Sequence, residues 1–210
     1  MKEQKINFYI SEQRLATYRK HANQDFDKAL LLYQYNMQLS ESFYSVLSLV
    51  EVVLRNAINE SLKVYFKDTY WFSTSLPIEF EQAVLEAISK LNRRNASISP
   101  DRIIAELHFG FWSKLFNRNH SILLWKPLRL IFKNLPKNQK KREYIASVLN
   151  TIRLLRNRIY HYEPIFNDVA ALEKQRKEIY LLIDWLDTDL SVIIDSSERF
   201  YTILEKIKSI

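Results

Sequence analysis

The sequence predicts an all-α protein, and three observations support that prediction. Apolar residues recur at spacings of three and four along most of the chain, which is the period of an amphipathic helix. No segment alternates apolar and polar residues between glycine turns, as the strands of a hairpin would. The 210 residues include a single glycine, Gly110, so the repeated tight turns of a hairpin-rich fold are excluded.

Three helices are predicted in the first third of the chain. The first should begin at Ser11 and run to about Ala22, and the second should cover about residues 25–39. Ser40 has the side chain of an N-cap, so a long amphipathic helix is expected from there to about Phe66. One face of this helix should lie in the core.

Proline and capping residues mark the next elements. Residues 68–77 have the composition of a loop, and Pro77 is expected to open a helix that reaches about Leu91. The order Ser99-Pro100-Asp101 combines an N-cap, a proline at the first helical position and an acidic first turn. A further helix should therefore begin at this point.

The last third of the chain continues the helical pattern. A helix is predicted over about residues 141–161, and Pro164 should stop it. Two C-terminal helices are predicted within residues 167–207, the second of them from Ser191. We therefore expect residues 1–210 to form a single all-helical domain.

The composition excludes several classes of protein. One glycine is too few for a phosphate-binding loop or a dinucleotide fingerprint. The absence of cysteine excludes disulfides, thiol nucleophiles and zinc ribbons, and it is typical of a reducing compartment. His21, His108 and His120 show no metal-ligand spacing, so we predict neither a metal nor a cofactor.

Charge and hydropathy predict a cytoplasmic protein with a polyanionic partner. The excess of 31 Lys and Arg over 24 Asp and Glu gives a net charge of +7, which favours nucleic acid first and an anionic membrane surface second. The start of the chain lacks the apolar region of a signal peptide. The most apolar stretch, from Phe43 to Leu54, is interrupted by Glu51, so no membrane-spanning helix is expected.

Residues 151–166, TIRLLRNRIYHYEPIF, are the part of the chain most indicative of chemistry. Arg153, Arg156 and Arg158 lie within six residues, and His161 follows them. Polar residues thus crowd the end of an otherwise apolar helix.

The spacing within this segment raises a geometric question. Asn157 and His161 are four residues apart and share a helix face, whereas Arg156 and His161 are five apart, about 140° around an ideal helix. Either the last turn loosens before Pro164, or the two side chains meet when the helix packs against a second copy.

Arginine beside histidine suits chemistry on a phosphodiester. A guanidinium is always charged and can bind two phosphate oxygens, while an imidazole can give or take a proton near neutral pH. RNA carries its own nucleophile, the 2′-hydroxyl, and DNA does not. No metal is then required for the cleavage of RNA.

A purely structural role accounts for the same residue types. Cations at the end of a helix interact favourably with its dipole, so residues 153–161 could be a solvated C-terminus. Glu51 and Arg55, at i and i+4, could likewise be a surface pair worth a few tenths of a kcal/mol. The functional alternative places Glu51 beneath Arg156 as an orienting residue.

Several stretches also resemble a known family. Residues 156–161, RNRIYH, resemble the R-N-x-x-x-H signature of the HEPN superfamily, and residues 161–166, HYEPIF, resemble its Abi-like, abortive-infection branch. Other stretches similar to recurring pieces of that family, in the same order, are Leu15 with Tyr18, residues 29–36, residues 51–58 and residues 108–112. The resemblance covers about residues 11–166.

The resemblance implies a HEPN-type helical bundle with additional helices and a homodimer in which two R-x4-H motifs form one composite cleft. It implies a metal-independent endoribonuclease of a bacterial abortive-infection system that acts against phage. Arg156 would bind and polarise the scissile phosphate. His161 would be the general base or acid, with the partner copy taking the other role, and the products would end in a 2′,3′-cyclic phosphate and a 5′-hydroxyl.

The same resemblance implies a supporting role for Asn157, which would orient the imidazole or hold a phosphate. Glu51, from the functional alternative above, is the residue expected to support Arg156. Arg153, Arg158 and Tyr162 are further predicted RNA-binding residues, although many relatives carry a second histidine at the position of Tyr162.

Two alternatives belong to other functional classes. The first is a non-catalytic RNA-binding or regulatory module of a defence or toxin-antitoxin system, and the second is a helical protein whose basic surface binds another protein. An antitoxin or other regulatory partner is expected for an active enzyme, because unrestrained cleavage would harm the host.

Overall fold

The computed structural model describes residues 2–193 and 198–210, and this part of the chain is helical without any β-strand. The predicted all-α class is therefore confirmed. The helices are α1 (Lys2–Ile10), α2 (Glu12–His21), α3 (Phe26–Phe66), α4 (Trp71–Thr74), α5 (Glu81–Arg93), α6 (Pro100–Glu106), α7 (Phe109–Lys114), α8 (Ser121–Leu128), α9 (Arg142–Tyr160), α10 (Val169–Leu186) and α11 (Glu198–Lys208). Short 3-10 turns lie at Ile78–Phe80, Arg118–His120 and Thr188–Ile193.

Helix α3 corrects the prediction of two helices separated at Ser40. It runs unbroken for 41 residues, and Ser40 lies inside it. The hydroxyl of the nearby Ser42 donates to the carbonyl oxygen of Leu39 at 2.6 Å, so a serine hydroxyl here bonds within the helix. Leu39 and Phe43 are both fully buried, so the apolar face continues through the predicted boundary.

The capping predictions at Ser11 and Ser99 agree with the structure, whereas the predicted loop over residues 68–77 contains α4, and a 3-10 turn separates Pro77 from α5. The Ser11 hydroxyl accepts a hydrogen bond from the Arg14 N–H at 3.2 Å, and α2 follows it. The Ser99 hydroxyl accepts from the Arg102 N–H at 3.4 Å, with Pro100 opening α6. Helix α1 was not predicted, because its sequence has no strong apolar period.

The C-terminal part of the chain follows the prediction with one change. Helix α9 spans Arg142–Tyr160, close to the predicted 141–161. The last helix was expected from Ser191, but residues 191–193 belong to a 3-10 turn and α11 begins at Glu198. The part of that prediction on residues 194–197 lies outside the described residues.

The chain divides into two compact units. The first contains residues 2–47, 154–177 and 198–210, and the second contains residues 48–153 and 178–193. Helices α3, α9 and α10 contribute residues to both. The single domain over residues 1–210 stays a prediction.

Each unit has an aromatic-rich core. In the first unit, the rings of Phe43 and Phe200 meet edge to face with centroids 5.4 Å apart. In the second unit, Trp71 and Trp112 are fully buried, and their ring centroids are 6.4 Å apart. The Trp112 indole N–H donates to the carbonyl oxygen of Leu107 at 3.1 Å, so this buried polar group is satisfied.

Helix α3 also meets the length and composition criteria for a membrane-crossing helix, with a mean hydropathy of 1.2 over its most apolar window. The same criteria are met by core helices of soluble proteins and by signal sequences, so this carries little weight. Six of its residues, Leu39, Phe43, Val50, Leu54, Ile58 and Leu62, are fully buried within the protein.

Four helices end in a left-handed residue that is not glycine. These residues are Asn23, Lys67, Asn95 and Tyr162, with φ between 50° and 58°. Asparagine tolerates this conformation, whereas it is sterically unfavourable for lysine and tyrosine. Gly110 lies in α7 and has a negative φ, so the only glycine is not used for a turn.

Candidate functional site

The predicted motif lies at the C-terminal end of α9, in the first unit. The amide N–H of His161 donates to the carbonyl oxygen of Asn157 at 2.9 Å. The Tyr162 N–H then donates to Ile159 and the Glu163 N–H to Arg158, at 3.0 and 2.9 Å, and Tyr162 has a φ of 58°. These bonds form a Schellman motif in which His161 is the C-cap.

This geometry answers part of the question raised by the spacing. The helix ends at Tyr160, before His161, and the backbone reverses at Tyr162. The helical hydrogen bond from the His161 N–H to Asn157 persists, so the last turn does not loosen before His161, contrary to the first alternative. The second alternative, in which Arg156 and His161 meet when the helix packs against a second copy, stays a prediction.

Two side chains distant in sequence hold this turn in place. The Asn36 side chain, 3% exposed, donates to the Glu163 carbonyl oxygen at 3.3 Å and accepts from the Ile165 N–H at 2.8 Å. The Arg14 guanidinium donates to the Tyr162 carbonyl oxygen at 2.9 Å. Helices α2 and α3 thus position the segment that follows His161.

The imidazole of His161 is exposed to solvent. Among the described residues it has no hydrogen-bond, ion-pair or ring partner. An exposed imidazole of this kind can reach a substrate, but no neighbouring side chain fixes its tautomer.

Arg156 lies one turn before the end of the helix and packs on an aromatic ring. Its guanidinium carbon is 4.5 Å from the centroid of the Tyr160 ring, which is a cation–π geometry. Stacking of this kind restricts the plane of the guanidinium, and the N–H groups lie in that plane, where phosphate oxygens bind. A positioned cation and an exposed histidine therefore share the end of α9.

The other predicted site residues have different surroundings. Arg158 forms a short hydrogen bond to the Pro164 carbonyl oxygen and an ion pair with Glu163 at 3.7 Å, so it also holds the turn. Arg153 donates to the Asn150 side chain at 2.8 Å and belongs to the second unit, as does Glu51. The support of Arg156 by Glu51 and the role of the half-buried Asn157 stay predictions.

Sequence reasoning missed Arg14, Asn36 and a set of tyrosines near the motif. Tyr18, Tyr33 and Tyr44 lie beside Tyr160 and Tyr162 around one cavity in the first unit. Arg14 and Asn36 are 148 and 127 residues from the partners they bind. No local pattern carries such a contact, so the sequence offered no signal for it.

The remaining histidines do not form a second site of the same kind. His120 is 4% exposed, and its Nε2 lies 2.6 Å from a carboxylate oxygen of Glu79. Burial lowers the pKa of His120 below its usual value, and the Glu79 carboxylate offsets only part of this. The described residues contain no group of three or more side chains suited to hold a metal ion.

Comparison with models of known protein families, with curated proteins and with solved structures found no significant match. The motif residues and their surroundings therefore carry the functional argument.

Proposed function

We propose that this chain is a metal-independent endoribonuclease of the Abi-like HEPN type that acts in bacterial abortive infection. The observation that carries the proposal is the end of α9, where an exposed His161 follows an Arg156 held on the Tyr160 ring. The first residue can transfer a proton and the second can stabilise a phosphate.

The reaction proposed for this site is a transesterification within the RNA. His161 takes the proton of the 2′-hydroxyl, the 2′-oxygen bonds to phosphorus, and the bond from phosphorus to the 5′-oxygen breaks. Arg156 stabilises the charge that develops on the phosphate oxygens. In a homodimer, the partner's His161 donates a proton to the leaving 5′-oxygen. One histidine therefore takes up a proton while the other releases one.

The charge of the chain supports an RNA substrate. With a net charge of +7 it attracts a polyanion, and Arg14 adds a guanidinium beside the turn that contains Tyr162. The cytoplasmic location and the regulatory partner follow from the proposed role and are part of the same proposal.

One observation favours a second candidate, a non-catalytic RNA-binding module. Catalytic histidines are commonly oriented by a neighbouring hydrogen-bond acceptor, and no described residue orients the imidazole of His161. A module that binds RNA without cutting it needs no such partner.

Cleavage of mixed RNA in EDTA separates the two candidates. The wild-type protein should produce 2′,3′-cyclic phosphate and 5′-hydroxyl ends, and His161→Ala should cut at least about 100-fold more slowly while still binding RNA. His108→Ala is a matched control, because His108 is also exposed but lies in the second unit, just before α7, without a capping hydrogen bond from its side chain. It should cut at the wild-type rate.

The same assay applies to Arg156. Arg156→Lys keeps the charge but loses the planar fork, so it should retain only part of the activity, and Arg156→Ala should retain less. Arg129→Ala, at an exposed arginine of the second unit, should behave as wild type. Equal cutting by wild-type protein and His161→Ala would remove His161 from the mechanism, and RNA binding without cutting would favour the second candidate.

A further inference from the structure

A cavity of about 390 Å³ lies next to the motif turn, within the first unit. Its lining is unusually rich in tyrosine: Tyr18, Tyr33, Tyr44, Tyr160 and Tyr162, together with Asn36, Met37, Ser40, Glu41 and Ile159. Four of the five rings form two pairs, because Tyr18 and Tyr33 meet edge to face with centroids 5.1 Å apart, and Tyr44 and Tyr160 lie tilted with centroids 6.3 Å apart. The volume is within the range of sites that hold small organic molecules.

Two polar side chains around this cavity are engaged within the protein. The amide of Asn36 is bonded to the chain after Tyr162, and the Glu41 carboxylate accepts two hydrogen bonds from Arg199, at 3.2 and 2.9 Å. The arginine neutralises the carboxylate, so the cavity does not repel an anionic ligand through an unpaired negative charge.

The Tyr18 hydroxyl is a buried polar group of the cavity wall that lacks such a partner. The residue is 1% exposed, and its hydroxyl oxygen has no hydrogen-bond partner among the described residues. Burial raises the pKa of Tyr18 to about 12, so the group keeps its proton and can donate it in a hydrogen bond. An unpaired buried hydroxyl is unfavourable, and a guest in the cavity that accepts this bond removes the penalty.

We propose that this tyrosine-lined cavity binds one unpaired base of a single-stranded RNA. This inference rests on the proposed function and names the substrate class. Unstacked bases are recognised by aromatic faces and by hydrogen bonds to their edges, and the cavity supplies both. The Ser40 hydroxyl and the Tyr18 hydroxyl can each donate or accept, so the cavity should accept more than one kind of base.

The position of the cavity connects it to the reacting phosphate. Tyr160 forms part of its wall and also carries the Arg156 guanidinium on its ring, at 4.5 Å. A base held between the tyrosines would place its own backbone beside Arg156. Arg14, bonded to the Tyr162 carbonyl oxygen, adds positive charge along the same path.

Binding of an uncleavable RNA tests the cavity separately from catalysis. The probe is a labelled 2′-fluoro oligouridine of about twelve residues, compared by anisotropy with an abasic chain carrying the same number of phosphates. A 2′-fluorine cannot attack the phosphate, so the full wild-type protein is used. The oligouridine should bind about tenfold more tightly than the abasic chain, because stacking and base contacts are lost without the bases.

Tyr18→Phe is the decisive variant. It removes a hydroxyl that has no partner among the described residues, so the fold should tolerate it, as circular dichroism and thermal melting would show. It should weaken oligouridine binding about three- to tenfold and leave the abasic chain unchanged. Tyr9→Phe, at a tyrosine 83% exposed and outside the cavity, should change neither. Met37→Trp, which fills the cavity from an exposed wall, should remove the preference for bases.

Each other outcome overturns the inference. If the two probes bind equally, the cavity holds no base. The same conclusion follows if neither Tyr18→Phe nor Met37→Trp changes the binding of the oligouridine. Competition by free uridine or adenosine monophosphate at the same concentration as the oligomer would assign it to free nucleotides. Loss of the protein dimer in Met37→Trp without loss of base preference would assign the tyrosine face to a second copy. None of these results would contradict RNA cutting that requires His161. The experiments therefore distinguish a wrong assignment of the cavity from a wrong proposal of nuclease activity.

Discussion

Asn36 and Ile165 are joined by a 2.8 Å hydrogen bond in which a buried side-chain oxygen accepts a backbone N–H 129 residues away. The same amide donates to the Glu163 carbonyl oxygen, so one side chain satisfies two polar groups of the turn after the motif. A fold-stabilising contact therefore also places the candidate site.

Replacement of Asn36 tests this contact. Asn36→Ala leaves the buried Ile165 N–H without a partner, which should lower the free energy of unfolding by about 1–3 kcal/mol. Chemical denaturation measures the change. The control is Asn119→Ala, at an exposed asparagine, which should leave the stability unchanged. If Asn36→Ala were as stable as this control, water would be replacing the Asn36 amide as the partner of the Ile165 N–H.

A pair of serine substitutions tests the continuity of α3. Ser99→Ala removes a cap and should cost about 1 kcal/mol of stability. Ser40→Ala changes a position inside a helix, where alanine has the higher helix propensity, so it should be neutral or stabilising by a few tenths of a kcal/mol. A loss at Ser40 as large as that at Ser99 would restore the predicted boundary there.

The stability of the protein should fall at mildly acidic pH because of His120. Its pKa in the folded state is lowered by burial, so the unfolded chain binds the proton more readily. The contribution is fully present above the ordinary pKa of 6.5 and is lost as the pH falls from there towards the lowered folded value. Melting temperatures recorded from about pH 7.5 to about 5.5 measure the slope.

Two histidine variants isolate that effect. His120→Gln should flatten the fall in melting temperature over the same range, whereas His108→Gln, at an exposed histidine, should keep the wild-type slope. An unchanged slope in His120→Gln would assign the acid sensitivity to other groups.

Glycine at position 162 should stabilise the turn. Tyr162 has a φ of 58° and is 74% exposed, so Tyr162→Gly relieves a steric cost of about 1 kcal/mol and loses little packing. Tyr160→Gly is the contrasting change, because it lies within α9 and should cost about 1 kcal/mol. A lower melting temperature for Tyr162→Gly would show that its ring contributes more than the backbone conformation costs.

The sequence predicted those features that local patterns determine. Apolar spacing identified several of the longer helices, although α1, α4 and α8 were not predicted. The serines at 11 and 99 marked two helix starts correctly. Ser40 was misleading because a serine can bond within a helix as well as cap one, and only the tertiary burial of Leu39 and Phe43 decides between the two. The capping preference of one serine is a smaller effect than the burial of the apolar residues beside it, so the helix continues through Ser40.

The candidate site likewise has one part that local sequence patterns predict and one part that they do not. Arg156 and His161 could be proposed as site residues from the sequence because their residue types and spacing are local. The surroundings could not, because the contacts of Arg14 and Asn36 with the turn join residues more than a hundred positions apart. The unpartnered Tyr18 hydroxyl is likewise visible only once the helices have packed.

The long-range bonds to the motif turn also determine when the site can form. Arg14 and Asn36 precede their partners at residues 162–165 by 127 to 148 positions. Contacts of such high sequence separation are made late, after a large loop has closed. A growing chain would therefore lack the anchored turn until residues 162–165 have been synthesised, and in the proposed nuclease the segment with Arg156 and His161 is not held in place before then.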